Sequence, residues 1–354
     1  MLFCDKRRIL PFNGLILRIS KKGAMAMSKT GWIILIVCLI FALCVCAGVF
    51  LAGRAFNAII GRDDESANTT SNYPDLKNAY SQDGTYAIDM KSLQELTIDW
   101  LSGSVTIELT DEDAIRFVET VRGNERIPEQ DALRYGVSGR KLRIQACKKN
   151  HLDKLPEKDL VVFLPRLLAK ELKTLDLNSI SASISGNSLS AREVRVNTIS
   201  GACMLPYLTA EKVNAYTVSG SLEITYASVG SLHADSVSGS CRVGGVISML
   251  QLGTVSGALH SVSAATETVS CTSVSGPIEL VFTSCPDALT ADSTSGEVSI
   301  ALPLNADCQI ELETVSGQLL RDGHKVADKR LILGAGSGTF KITTVSGDLN
   351  IYSR

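Results

Sequence analysis

Residues 217–224 read Thr217-Val218-Ser219-Gly220-Ser221-Leu222-Glu223-Ile224. Apolar and polar residues alternate along them, and a period of two marks a strand buried on one face. The alternation places Val218, Leu222 and Ile224 on the inner side, and Thr217, Ser219, Ser221 and Glu223 on the outer. Threonine, valine and isoleucine also favour extended backbone. The pattern returns in Thr314-Val315-Ser316-Gly317-Gln318-Leu319 and in Thr344-Val345-Ser346-Gly347-Asp348-Leu349-Asn350-Ile351.

The Ser-Gly pair at the centre of this stretch recurs along the C-terminal two thirds of the 354-residue chain. Its glycines are Gly186, Gly201, Gly220, Gly239, Gly257, Gly276, Gly296, Gly317 and Gly347, with successive gaps of 15, 19, 19, 18, 19, 20, 21 and 30. The last gap holds an insertion around 321–330. Looser copies stand at Ser102-Gly103 and Ser138-Gly139. A fixed period near twenty, with strand-like alternation and no capped 3.6-residue period, predicts an all-β fold: a β-solenoid of about nineteen residues per coil. Coils stacked at about 4.8 Å, roughly 13 of them over 86–354, give a rod on the order of 60 Å. The repeat glycine falls on the inward track. A positive φ at a corner and a core too narrow for a side chain both account for it, and the corner is the preferred reading.

The rest of the chain is organised differently. Residues 1–30 carry seven basic side chains and one acidic; 31–53 carry no charge; the remainder has a net charge of −8. Gly31 to Gly53 is apolar throughout, and at ~1.5 Å per residue a helix of that length crosses a hydrocarbon core of about 30 Å. Trp32, Lys29 and Arg54 frame it, and the basic tail orients the N-terminus to the cytosol. The predicted organisation is a basic cytoplasmic tail (1–30), a transmembrane helix (31–54), a polar linker (55–85) and a solenoid ectodomain (86–354, most regular over 180–320). Cleavage of a signal peptide after Ala47 is the alternative to an anchor. Met25 and Met27 are alternative starts. An acidic ectodomain has no general attraction for nucleic acid.

Few residues point to chemistry. Six cysteines follow the predicted span: Cys147, Cys203, Cys241, Cys271, Cys285 and Cys308. Cys203 and Cys241 each lie two residues after a repeat glycine and two coils apart. That is ~10 Å, beyond the about 7 Å that a disulfide spans between Cα atoms. They read as core residues where other copies carry Leu222 and Leu259. The histidines (His151, His233, His260 and His324) are scattered, with no carboxylate at ligand spacing. No nucleophile elbow, phosphate loop or calcium nonapeptide is present. Asp235 and Asp292 share an offset but stand three coils, ~14 Å, apart, too far for a glycosidase pair. The sequence therefore names no catalytic, cofactor-binding or metal-binding residue. Trp100 is the one tryptophan after the predicted span, and as aromatic platforms for a sugar the central repeats offer just Tyr207, Tyr216, Tyr226 and Phe282. Ladders of hydroxyls (Thr198/Ser200, Thr217/Ser219, Ser236/Ser238, Thr254/Ser256) are expected on the outer face, where they stabilise a sheet or bind water or a repetitive polymer.

Leu96-Thr97-Ile98-Asp99-Trp100-Leu101-Ser102-Gly103-Ser104-Val105-Thr106-Ile107, then Lys141-Leu142-Arg143-Ile144, then Asp159-Leu160-Val161-Val162-Phe163-Leu164-Pro165, followed by the Thr-Val-Ser-Gly copies, resemble the DUF4097 family of bacterial adhesin-like proteins. The resemblance implies a β-solenoid behind an N-terminal membrane anchor in a bacterial envelope, and it supplies no catalytic residues. The expected function is non-catalytic surface contact, as an adhesin or envelope-interaction module with an envelope or host-surface polymer or protein as partner. Links of some relatives to envelope stress give the alternative of an accessory or sensor. A polysaccharide-modifying β-helix enzyme is the third class.

Overall fold

The computed structural model describes residues 84–121, 127–129, 131–147, 156–264 and 267–354, with Leu76 and Ser81. The basic tail, the predicted span and most of the linker lie outside the described residues, so the anchor is an expectation still. Among the described residues no helix is long and apolar enough to cross a membrane.

Among the described residues the domain is all-β, with one four-residue helix at Arg166–Ala169. Its strands pair in parallel with the strand one repeat further along. Leu189 to Thr198 pair with Leu208 to Thr217, which pair in turn with Tyr226 to Ser236. The offset is 19 residues there, 18 between Cys241 and Leu259, and 20 between Ile278 and Val298. Each repeat therefore lies as a rung over the previous one, an arrangement consistent with a β-solenoid. One sheet face passes through Thr174–Ser179 and Thr268–Ser273, and a second through Ser183–Gly186 and Ile278–Phe282. The middle rungs add a third short face, where Leu189–Ala191 stack on Leu208–Ala210 and on Ala227–Val229. Inward Leu, Val, Ile and Ala fill the interior, each sealed by its counterparts above and below. Burying one such side chain stabilises the fold by about 1.5–3 kcal/mol, so no rung is stable alone.

The rungs do not follow the chain order at either end. Strands Glu95–Trp100 and Gly103–Thr110 lie between the 174–186 rung and an outer rung made of Lys141–Gln145 and Lys158–Pro165. At the C-terminus, Gly338–Thr344 and Leu349–Ser353 insert between the 288–302 rung and the 308–321 rung. Along the stack the order is 141–165, 95–110, 174–186, 193–204, 212–224, 231–243, 249–262, 268–282, 288–302, 339–353 and 308–321. Among the described residues these are eleven rungs rather than the thirteen expected from length. At about 4.8 Å per step they span about 48 Å. The irregular gaps of 21 and 30 arise because the chain skips a rung and returns to fill it.

Antiparallel strands close both ends. Ile115–Val121 pairs with Lys158–Pro165 and Thr85–Ile88, and Arg134–Ser138 pairs with Lys141–Gln145. Ser138-Gly139 is the turn of that hairpin, with φ +59 at Gly139, and not a solenoid corner. At the far end Arg330–Leu333 runs antiparallel to the Cys308 strand, and His324–Lys325 to Leu319–Arg321. The reversed strands occupy edges that would otherwise be open to strand addition.

Two expectations at the corner are corrected. The repeat glycines from Gly201 to Gly347 have no positive φ. They form a column instead: a Cβ on Gly220 would overlap the carbonyl oxygen of Gly201, and so on through Gly239, Gly257, Gly276, Gly296, Gly347 and Gly317. Close approach of backbones is what requires glycine. The residue three before the glycine is buried, not outward, in every rung of this column except at Thr314, which is half-buried like Val218. The turn interrupts strict alternation, and in several rungs the hydroxyl bonds across the turn, though those of Thr217 and Ser236 have no partner. Gly257 N and Gly347 N donate to the Oγ1 of Thr254 and Thr344 at 2.8 Å, and Ser273 Oγ donates to Gly276 O at 2.6 Å.

Candidate functional site

Only one column of the expected hydroxyl ladders faces outward. Ser200, Ser219, Ser238 and Ser275 are exposed, but each Oγ donates to a carbonyl of the preceding rung, at 3.3–3.4 Å. Thr198, Thr217, Ser236 and Thr254 are buried. The outer serines thus tie rung to rung, and the double polymer-binding ladder is not formed.

The middle rungs present a different surface. Tyr207 and Tyr226 pair in register, with ring centroids 5.0 Å apart and planes 16° from parallel. Both rings are more than half exposed, at 51% and 59%. Offset ring pairs are worth about 0.5–1.5 kcal/mol beyond the area they bury, so the pair is ordered without being enclosed. Met204, equally exposed, lines a neighbouring cavity of about 420 Å³ with Pro206, Ser185, Asn187, Ser188 and Arg166. Around the corner, the third face carries an open depression of about 670 Å³ floored by Ala191, Ala210 and Val229. Ser190, Thr209 and Ser228 stand in register along it, Arg192 and Glu211 pair with each other at 2.8 Å on its lining, and Val246 is exposed on it. Of the other aromatic residues noted in the sequence, Phe282 is buried and Tyr216 is half-buried. Trp100 is in the core, its Nε1 donating to Lys158 O at 2.8 Å.

The first sheet face carries a polar network that the sequence did not disclose. Asp99 is buried and accepts from Arg143 Nε at 2.7 Å and from Asn178 Nδ2 at 3.0 Å, and Asn197 Nδ2 donates to Asn178 at 2.8 Å. Asp176, beside it, has a buried Oδ1 with no partner. Burial and the Asp99 carboxylate push its pKa up to about 6, against the opposing Arg195 and Arg143. Further along, His233 Nε2 lies 2.9 Å from Asp235 Oδ2, and Tyr216 Oη lies 3.5 Å from His233 Nδ1. His260 Nδ1 lies 2.9 Å from Glu279. Two histidines thus do have carboxylate neighbours. One arises because residues i and i+2 share a strand face, the other because i and i+19 are stacked. Asp235 and Asp292 stand three rungs apart, as expected from their offsets. Asp292 is held above the usual carboxylate range chiefly by burial. Among the described residues no group of three His, Cys, Asp or Glu side chains is placed to hold a metal ion.

Cys203, Cys241, Cys271, Cys285 and Cys308 are free thiols. Cys203 and Cys241 are buried in one column with Leu222 between them, as core residues. Burial alone pushes the Cys203 thiol up to about 12, and the enclosed side chain is a neutral thiol at neutral pH.

No curated protein matches the chain. Among solved structures, a candidate lipid-binding protein from Parabacteroides distasonis ATCC 8503 is similar at 18% identity and TM-score 0.47, covering 75% of this chain and 95% of its own. A candidate adhesin from the same strain has 14% identity and TM-score 0.37, over 76% and 96%. One from Bacteroides fragilis NCTC 9343 has 12% and 0.30, over 76% and 96%. Residues 93–352, from the first apolar strand to the last rung, match the family model Toastrack DUF4097. With the match covering most of the sequence, the chain belongs to the Toastrack DUF4097 family.

Proposed function

We propose that the protein is a membrane-anchored, extracytoplasmic β-solenoid that acts by surface contact, as an adhesin or envelope-interaction module, without catalysis. The observation that carries this reading is the exposed Tyr207–Tyr226 stack, beside Met204 and its cavity, on the most regular rungs. A rigid ladder holding two aromatic rings outward loses little conformational entropy when a partner covers them. The basic tail and the uncharged 31–53 stretch support anchorage with the N-terminus in the cytosol.

Co-sedimentation of the full chain with purified cell wall, and pull-down on host glycans, test the reading. Binding that falls at least tenfold in the Tyr207→Ser/Tyr226→Ser double variant, with its unfolding midpoint retained, is the expected result. No affinity for any such polymer, with co-purification of a membrane signalling protein, would instead favour the accessory or sensor role. Protease treatment of intact cells should cut the 63–81 linker; full protection would invert the topology.

A further inference from the structure

We propose that Cys285 and Cys308 are the two halves of an intramolecular disulfide that clasps the exchanged C-terminal rung. Cys308 opens the Cys308–Thr314 strand and is buried; Cys285 is half-buried in the bend before Ala288–Ser293. Their rungs are not adjacent, because Gly338–Thr344 lies between them. A two-rung spacing between paired strand residues keeps Cys203 from Cys241; Cys285 stands outside the paired strands, in the bend before its rung, and is not held to that spacing. At the C-terminal position the residue opposite Cys308 is Gly338. A Cβ there would stand 3.2 Å from the Cβ of Cys308 and 3.0 Å from Pro286 O. With no side chain in the way, Cys285 leans across the inserted strand. Its Sγ donates to Asp307 O at 3.9 Å, one residue before Cys308, and burial, with the neighbouring Cys285 thiol, holds Cys308 above the usual thiol range. The remaining described cysteines stand in other places: Cys203, Cys241 and Cys271 in the central core and Cys147 in the opposite cap.

The chemistry is thiol–disulfide exchange with a disulfide oxidant, such as glutathione disulfide or a dithiol oxidoreductase in its oxidised form. Cys285, the more accessible thiol, loses its proton and attacks one oxidant sulfur, breaking the oxidant's S–S bond and releasing one thiol. Cys308 then loses its proton and displaces the second thiol, closing the protein S–S bond. The two cysteines give up two electrons and two protons, and the oxidant's two sulfurs take them. The cross-link joins the rungs on both sides of the inserted strand, so that this end of the stack cannot open without breaking it. Its occurrence in the cell rests on the exported location proposed above; its formation in the purified protein does not.

The test uses the full chain, purified in detergent under reducing conditions and equilibrated with glutathione disulfide. Peptide mapping without reduction should find one cross-linked species, joining the Cys285 and Cys308 peptides, with the loss of two hydrogens in mass. The thermal midpoint should rise by roughly 5 °C, the scale expected for closing a loop of this length. In Cys285→Ser, whose side chain is only half-buried, the oxidant-dependent rise should vanish. Free Cys285 and Cys308 after equilibration, a cross-link to any other cysteine, or an unchanged rise in Cys285→Ser would each overturn the assignment.

Discussion

At Gly276 two backbones meet with no room between them: an added Cβ would overlap the carbonyl of Gly257 in the next rung. Gly276→Ala should therefore push the rungs apart and destabilise the fold by about 3 kcal/mol. Ser238→Ala, on the outer column, should cost under about 1 kcal/mol. Urea unfolding of the two variants compares them directly; equal costs would mean that the glycine column is not packed. Asp176 gives a pH dependence at the same scale. Its folded pKa is raised to about 6, chiefly by burial, above the ordinary 3.8 of the unfolded chain. Between these values the folded state binds more protons than the unfolded one. Stability falls as pH rises through that window, and the deficit is complete above it. Asp176→Asn should then stabilise the protein by about 1–2 kcal/mol at pH 7 and by nothing near pH 4. A gain of the same size at both pH values would assign it to something other than the charge. The glycine repeat was plain in the sequence, but the inward turn of Thr217 was not. Period-two alternation describes a strand, and Thr217 stands where the strand ends and the chain turns.

The elements that close the stack depend on one buried ion pair. Lys158 Nζ lies 2.5 Å from Glu119 Oε1 and donates also to the carbonyl oxygens of Asp131 and Ala146; both side chains are buried. Glu119 accepts in addition from Leu133 N at 3.0 Å. Burial raises the Glu119 pKa, and Lys158 opposes the rise. The pair thus joins four segments of the N-terminal cap. Tyr86, Phe117 and Tyr135 pack beside it, with neighbouring centroids 5.2 Å apart. Lys158→Met leaves an uncompensated buried carboxylate and should cost about 3–5 kcal/mol by chemical denaturation. A cost below about 1 kcal/mol would mean that water reaches Glu119. Nothing in the sequence marked these residues, because Glu119 and Lys158 meet across an antiparallel pairing that the repeat period does not describe. The Asp99 network escaped notice for a related reason. Its members are neighbours only through rungs that are 46 and 79 residues apart in the chain.

Over the whole molecule the repeat period predicts stacking but not the order of the stack. The clean gaps from Gly201 to Gly296 correspond to rungs laid down in sequence. The gap of 30 before Gly347 corresponds to a strand that returns to an earlier level. The consequence is specific: Ser346 lies nearer the middle of the rod than Ser316, although it is later in the chain. Electron–electron distance measurement between a spin label at Ser200 and one at either position reads this order. With the rungs as described, Ser346 is six steps away, about 29 Å, and Ser316 seven steps, about 34 Å. A longer distance to Ser346 than to Ser316, or distances that do not grow by about 4.8 Å per rung, would contradict the stack.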